Sequence, residues 1–167
     1  MTMISVKDNI ADAIQYGLLQ ITTANGYAND VVRVYDPPVD IGAMQEFPCF
    51  NYFEGMDDCT NVSSPGSHQQ TGGNQAKLFN EFVVELDGYV NVVGSARKTR
   101  NSLLADVEKY IGNHWNLPDS NGVPSAFNCM YLSSAPFGEQ VNSPQTGMTI
   151  RLKVWYDQKL TDPKLRG

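Results

Sequence analysis

The chain has few of the groups that chemistry is built from. Of its 167 residues only 18% are charged, two are histidines (His68 and His114) and three are cysteines (Cys49, Cys59 and Cys129). An odd and scattered cysteine set argues against a disulfide framework and fits a reducing compartment. The spacings from Cys49 to Cys59 to His68 match no zinc pattern, so no metal is expected. No apolar run approaches the length that spans a bilayer, and no membrane partner is expected. The first residues, MTMISVKDNIADA, lack the basic start and apolar stretch of a signal peptide, which makes cytoplasmic synthesis the expectation. Gly72-Gly73 lacks the Lys-Ser/Thr of a phosphate-binding loop, which gives no reason to expect a nucleotide cofactor. Cys59 and His68 share one polar run, whereas a nucleophile and its base need rigid support. No catalytic constellation emerges, and the expectation is a protein that is not an enzyme and carries no cofactor.

What the chain does have is enough apolar residue, 41%, for one domain with one core. Its net charge of −6 is unevenly placed. Nine acids in residues 1–60 (Asp8, Asp12, Asp30, Asp36, Asp40, Glu46, Glu54, Asp57 and Asp58) face only Lys7 and Arg33, while residues 61–167 hold nine acids and ten bases. An acidic total argues against a protein that grips nucleic acid. An acidic front and a neutral-to-basic back suit copies that meet head to tail. The densest cations are Arg97, Lys98 and Arg100. Placed against the positive end of a helix dipole, they invite an acidic partner.

Residues 5–22 read as an amphipathic helix whose stripe is Val6, Ile10, Ala13, Ile14, Gly17, Leu18 and Ile21. Ser5 and Asp8 form a variant capping box, and Asn25-Gly26 supplies the stop. Gly17 implies close packing of the helix backbone on a strand. Residues 31–35 and 47–53 read as strands. Residues 77–86 alternate, with Leu78, Phe82, Val84 and Leu86 on one face. Asp87-Gly88 suggests a turn or bulge before residues 89–93. A second helix starts near Arg97, capped by Ser95 or Thr99, and stops before Asn116, with Leu103, Leu104, Val107, Tyr110, Ile111 and Trp115 as its apolar stripe. His114 is expected as a partly buried residue at its end. Residues 127–133 and 148–158 are the last strands, the second alternating from Met148 through Ile150, Leu152 and Val154 to Tyr156.

The element order is therefore α-β-β-β-α-β-β. The fold class is α+β: a mostly antiparallel sheet with two amphipathic helices packed on one face, joined by long polar loops. Residues 1–158 make a single domain, and residues 159–167 a C-terminal tail. Leu18, Phe82, Val107, Ile111, Ile150 and Leu152 are expected in the core, with Cys49 and Cys129 as buried thiols. Residues 134–147 read as one polar loop. Residues 55–76, GMDDCTNVSSPGSHQQTGGNQA, read as another. Ordering so polar a run needs contacts outside the subunit, so it is expected to order on assembly. The candidate interaction residues are Asp57, Asp58, His68 and Gln69 in this run, and Arg97, Lys98 and Arg100 as their inter-subunit counterparts. Cutting the run to a tight Asn-Gly turn should still leave the flanking strands paired as a hairpin.

The opening segment ITTANGYANDVVRVYDPP, the strand EFPCFNYFEG and the strand KLFNEFVVELDGYV resemble the tail-terminator (tail-completion) proteins of long-tailed bacteriophages. The helix RNSLLADVEKYIGNHW and the strand MTIRLKVWYD fit the same layout, so the resemblance covers residues 4–158. It implies an α+β subunit that forms a homohexameric ring on the tail tube protein, stops tube growth and presents a surface to head–tail connector proteins. DNA would pass through that ring without sequence-specific binding. The place implied is the virion tail or neck, with assembly in the host cytoplasm. The competing expectations are a connector or neck protein of the same virion, a small enzyme using Cys59 or His68, and a monomeric module whose loops hold a ligand.

Overall fold

The structure is a computed structural model that describes residues 5–54, 68–71, 76–138 and 145–159, with side chains included except at 68–71, 76–79 and 157–159. Helix α1 (Val6–Leu19) begins as its sequence directs. Ser5 Oγ accepts from the Asp8 N–H at 3.1 Å, and the Asp8 carboxylate accepts from the Ser5 N–H at 2.8 Å. These two bonds hold the Asp8 carboxyl below its ordinary value. Strands β1 (Arg33–Tyr35), β2 (Cys49–Glu54), β3 (His68–Thr71) and β4 (Ala76–Asn91) follow. Helix α2 (Ala96–Asn113) and strands β5 (Asn128–Phe137) and β6 (Gln145–Lys159) are the remaining elements among the described residues. The α+β class is therefore what the sequence indicates.

One mixed sheet holds all six strands in the order β1-β2-β4-β6-β5, with β3 beside β4. Among the described residues only the β1–β2 pair is parallel. The sheet is open. One face carries Phe50, Phe82, Val84, Leu86, Val90, Ile150, Leu152 and Val154 into a core shared with Ile10, Ile14 and Leu18 of α1 and Leu103, Val107 and Ile111 of α2. All six residues expected in the core are buried there. The helices thus cover one face, as amphipathic stripes on both require.

Several expectations change. The polar run at 55–76 is not one loop: β3 pairs with the start of β4, from His68 opposite Phe79 to Thr71 opposite Ala76. Residues 55–67 and 72–75 lie outside the described residues. β2 and β3 run in the same direction along the same edge of β4, because Glu54 sits opposite Val84 and His68 opposite Phe79. A tight turn from Phe53 to Lys77 is therefore excluded by register: β2 meets the middle of β4, not its start. The expected loop at 134–147 is also shorter, since β5 continues to Phe137 and β6 begins at Gln145, and the pair stays in register apart from a bulge between Tyr131 and Ser133. Residues 139–144 lie outside the described residues. Lys159 belongs to β6, not to a tail, and residues 160–167 are also outside them.

Asp87-Gly88 makes no turn, because β4 runs straight through it, with Gly88 opposite Phe50 on one side and Met148 on the other. A Cβ at Gly88 would strike the Phe50 ring, so glycine is there to admit an aromatic ring across the strand. Gly17 meets the Tyr110 side chain of α2, not a strand. Helix α1 stops at Leu19, and Asn25-Gly26 instead closes a separate 3-10 turn at Thr23–Asn25, with Gly26 at φ 83°. Trp115 lies beyond α2 and is 54% exposed, so it belongs to no buried stripe.

Replacing Leu18 or Ile111 with Ala should each lower stability by about 2–5 kcal/mol, read as a shifted denaturant midpoint with an unchanged slope. Gly17→Val should cost about 1–3 kcal/mol by forcing Tyr110 from its seat. A midpoint unmoved by all three changes would place the helix–helix contact elsewhere.

Candidate assembly surfaces

The residues singled out by sequence do not form one site. Asp57 and Asp58 lie outside the described residues. His68 and Gln69 stand on β3, with Gln69 opposite Leu78. The cationic cluster divides: Arg97 and Lys98 are exposed on the first turn of α2, whereas Arg100 is 7% exposed. Arg100 donates from Nη2 to Asn101 Oδ1 at 3.1 Å and from Nη1 to Thr146 Oγ1 at 3.4 Å. Helical geometry explains the division, since residue 100 falls on the face that meets β6 while 97 and 98 point outward. Arg100 thus ties α2 to the sheet, and only Arg97 and Lys98 remain available to an acidic neighbour.

Among the described side chains, Cys49, Cys129 and His114 are committed to structure. Burial pushes the Cys49 and Cys129 thiols up to about 12, so neither is a thiolate at neutral pH. Cys59 lies outside the described residues. His114 stacks on Tyr110 with ring centroids 4.4 Å apart, and its Nδ1 lies 3.1 Å from the Tyr110 carbonyl oxygen at the end of α2. Among the described residues no group of three or more His, Cys, Asp or Glu is placed to hold a metal ion, and no helix is long and apolar enough to cross a membrane. The segment after Gly26 is clamped to α2: Asp106, 6% exposed, accepts from the Ala28 N–H at 3.0 Å and the Asn29 N–H at 2.9 Å. Lys109 Nζ donates to the Gly26 carbonyl at 2.7 Å and lies 4.7 Å from the Tyr27 ring centre.

The face of the sheet away from the helices is organised by charge. β4 presents Glu81, Glu85 and Asp87, and β6 answers with Lys153, Arg151 and Thr149. Lys153 Nζ is 3.0 Å from Glu81, Arg151 Nε is 2.8 Å from Glu85, and Thr149 donates to Asp87 at 2.6 Å. Trp155 Nε1 also donates to Glu81 at 2.9 Å. These cross-strand pairs balance one another, so the middle of this face offers little net charge. At its end the charge gives way to apolar packing. The Tyr89 and Phe137 rings meet edge to face, 5.3 Å apart, across Gly147, where a Cβ would collide with Phe137. The segment before β2 folds over this region, held by Asn51, which donates to the Val39 carbonyl at 2.8 Å and accepts its N–H at 3.1 Å. Between them lies a cleft of about 720 Å³ with Val39 and Ile41 on the segment and Phe53, Tyr89 and Phe137 on the sheet.

The two sides of the sheet are unlike. On the β1 side, the exposed large apolar residues are Leu19, Val32, Ile41 and Phe53. They sit on a part of the chain, residues 5–54, with seven acids against Lys7 and Arg33. On the β5 side the exposed set is Phe127, Met130 and Leu132, with Trp115 and Val123 in the connection that leads to them. Among the described strands β5 is outermost, with no charged residue from Asn128 to Phe137. Edge strands usually carry charge to prevent pairing with another chain. The uncharged run was legible in the sequence, but its position at the sheet edge was not.

Two outcomes are expected from these contacts. Asp106→Ala should leave the Ala28 and Asn29 amides without their acceptor, cost about 1–3 kcal/mol and speed their hydrogen exchange selectively. Burial, with Glu85 adding to it, raises the Asp87 carboxyl above its ordinary value despite the Thr149 bond. The folded state therefore holds that proton more tightly than the unfolded chain, and stability falls as pH rises through the window above the ordinary carboxylate value. Asp87→Asn keeps an acceptor for Thr149 and should gain stability relative to the parent as pH rises through that window. Parallel pH profiles of the two proteins would remove this account.

No protein-family model matches this chain, and no curated protein matches it.

Proposed function

We propose that the protein is a virion structural subunit whose copies join head to tail in a ring that caps a phage tail tube, ends tube polymerisation and presents the surface for head–tail joining. The observation that carries this reading is the unlikeness of the sheet's two edges: the β1 side, with exposed Ile41 and Phe53 on an acid-rich stretch of sequence, and the uncharged strand β5, with exposed Met130 and Leu132. Unlike surfaces on opposite sides of one subunit make a heterologous contact, and such contacts generate rings when the rotation closes. The resemblance in element order to tail-terminator proteins gives the ring its place. Its partners are then further copies of itself, a tail tube protein and connector proteins, with the virion tail or neck as its location. The buried thiols, the stacked histidine and the balanced outer face support a structural role over a catalytic one.

Light scattering on the purified protein should give a mass several times 18.5 kDa, and added protein should decorate the ends of tail tubes in electron micrographs. Met130→Lys with Leu132→Lys should reduce the assembled fraction while leaving the thermal midpoint within a few degrees, because both side chains are already exposed. A wild-type protein that stays monomeric, with bare tube ends, would refute the ring. Binding to the head side alone would identify a connector instead.

A further inference from the structure

We infer that the groove between the C-terminal ends of α1 and α2 is a binding site for an organic cation, a guanidinium or alkylammonium group.

Two adjoining cavities form the groove. One, of about 390 Å³, is lined by the rings of Tyr16, Tyr27, Tyr110 and His114 and by Asp119. The other, of about 510 Å³, runs along α1 past Asn9 and Asp12, and the two share Tyr16, Asp119 and Ser120. No Lys or Arg lines either cavity. Neither Asp12 nor Asp119 makes an ion pair among the described residues. Asp119 is oriented by accepting from the Val123 and Asn121 N–H groups at 2.9 and 2.8 Å, bonds that hold its carboxyl below the ordinary value. It is therefore a carboxylate at neutral pH.

The helix ends add to the same field. Tyr16 and Gln20 close α1, Tyr110 and His114 close α2, and neither helix has a basic residue in its last turn. A helix C-terminus carries partial negative charge and favours a cation, and here two such ends open on one groove. The Gln20 carbonyl receives only a neutral donor, Asn25 Nδ2, at 2.9 Å. Lys109, the last base of α2, directs Nζ to the Gly26 carbonyl at 2.7 Å, 4.7 Å from the Tyr27 ring centre, and does not line the groove. Carboxylates, helix ends and ring faces thus favour one sign of charge. Aromatic faces select a weakly hydrated organic cation over a compact, strongly hydrated ion.

Two sources carry such a group: a free amine, and a neighbouring copy. In the second case the donors are Arg97 and Lys98, exposed on the first turn of α2 with no ion pair among the described residues. That turn holds no acid, so both cations stand against the helix dipole. Helix α2 has 18 residues and is about 27 Å long, so they do not reach the groove at its other end within one copy. This second source rests on the head-to-tail reading, whereas the site does not.

The test is an NMR titration of the full-length variant Arg97→Gln with Lys98→Gln, using Nα-acetylarginine amide and, as control, its uncharged citrulline analogue. The arginine probe should shift the amide signals of Tyr16, Gln20, Tyr27, His114 and Asp119 in a saturable way, and citrulline should not. Asp119→Asn keeps an acceptor for the Asn121 and Val123 amides and should weaken binding roughly tenfold. No saturable shift at these residues, or equal shifts from citrulline, would overturn the site whether or not the protein assembles. Saturation transfer to the probe on the wild-type protein, with light scattering beside it, separates the sources. A wild type that assembles and rejects the probe, beside a variant that binds the probe and stays monomeric, would assign the groove to Arg97 and Lys98 of the next copy. Equal probe binding by wild type and variant would remove the neighbouring copy as a source and leave a site for a free amine.

Discussion

The antiparallel ladder between β4 and β6 is the interaction on which the molecule depends. It runs through fifteen paired positions, from Lys77 opposite Lys159 to Asn91 opposite Gln145. Strands of ordinary length have about five or six residues, so this pair is a spine to which the other strands attach. Because side chains alternate, one register decision places Phe82, Val84, Leu86, Ile150, Leu152 and Val154 together under the helices. The same decision aligns Glu81, Glu85 and Asp87 with Lys153, Arg151 and Thr149 on the outside. A slip of one residue would expose the core row and bury the charged one, and the two penalties together fix the alignment.

Glycine and aromatic side chains serve that spine in a complementary way. Gly88 accommodates the Phe50 ring on the helix side, and Gly147 accommodates the Phe137 ring on the outer side. The positions sit beside each other in neighbouring rows, so the ladder is narrowest where rings cover it from both faces. The strand would be weakened by two bare residues, and the rings supply the packing that the missing side chains do not. The cleft at Ile41 and Phe53 opens next to this region, with the Tyr89 and Phe137 rings on the sheet side of the cleft.

The elements with a strong period were legible in the sequence. The capping box at Ser5 and Asp8, the stripes of both helices apart from Trp115, and the alternation of β4 and β6 each followed from local rules, because burial on one face imprints directly on residue type. The misread places share a different cause. β3 carries His68, Gln69, Gln70 and Thr71, a polar edge segment without an apolar row to announce it. The extension of β5 through Ser133, Ser134 and Ala135 is hidden for the same reason, and its bulge breaks the alternation as well. Gly88 read as a turn because its reason for being there is a ring thirty-eight residues away in sequence. Arg97, Lys98 and Arg100 read as one cluster because adjacency in sequence says nothing about which face of α2 meets the sheet.

The interruption between β2 and β3 makes the fold a natural carrier. The chain leaves the edge of β4 at Glu54, opposite Val84, and rejoins that edge at His68, opposite Phe79. The departure and return points are five positions apart on a strand fixed from its other side by β6, a span of roughly 17 Å. The register on either side of the span is set by the pairing of β4 with β6, and closure entropy rises only slowly with the length of chain that bridges it. A peptide tag, a protease site or a small folded domain spliced there would be displayed from an unchanged scaffold.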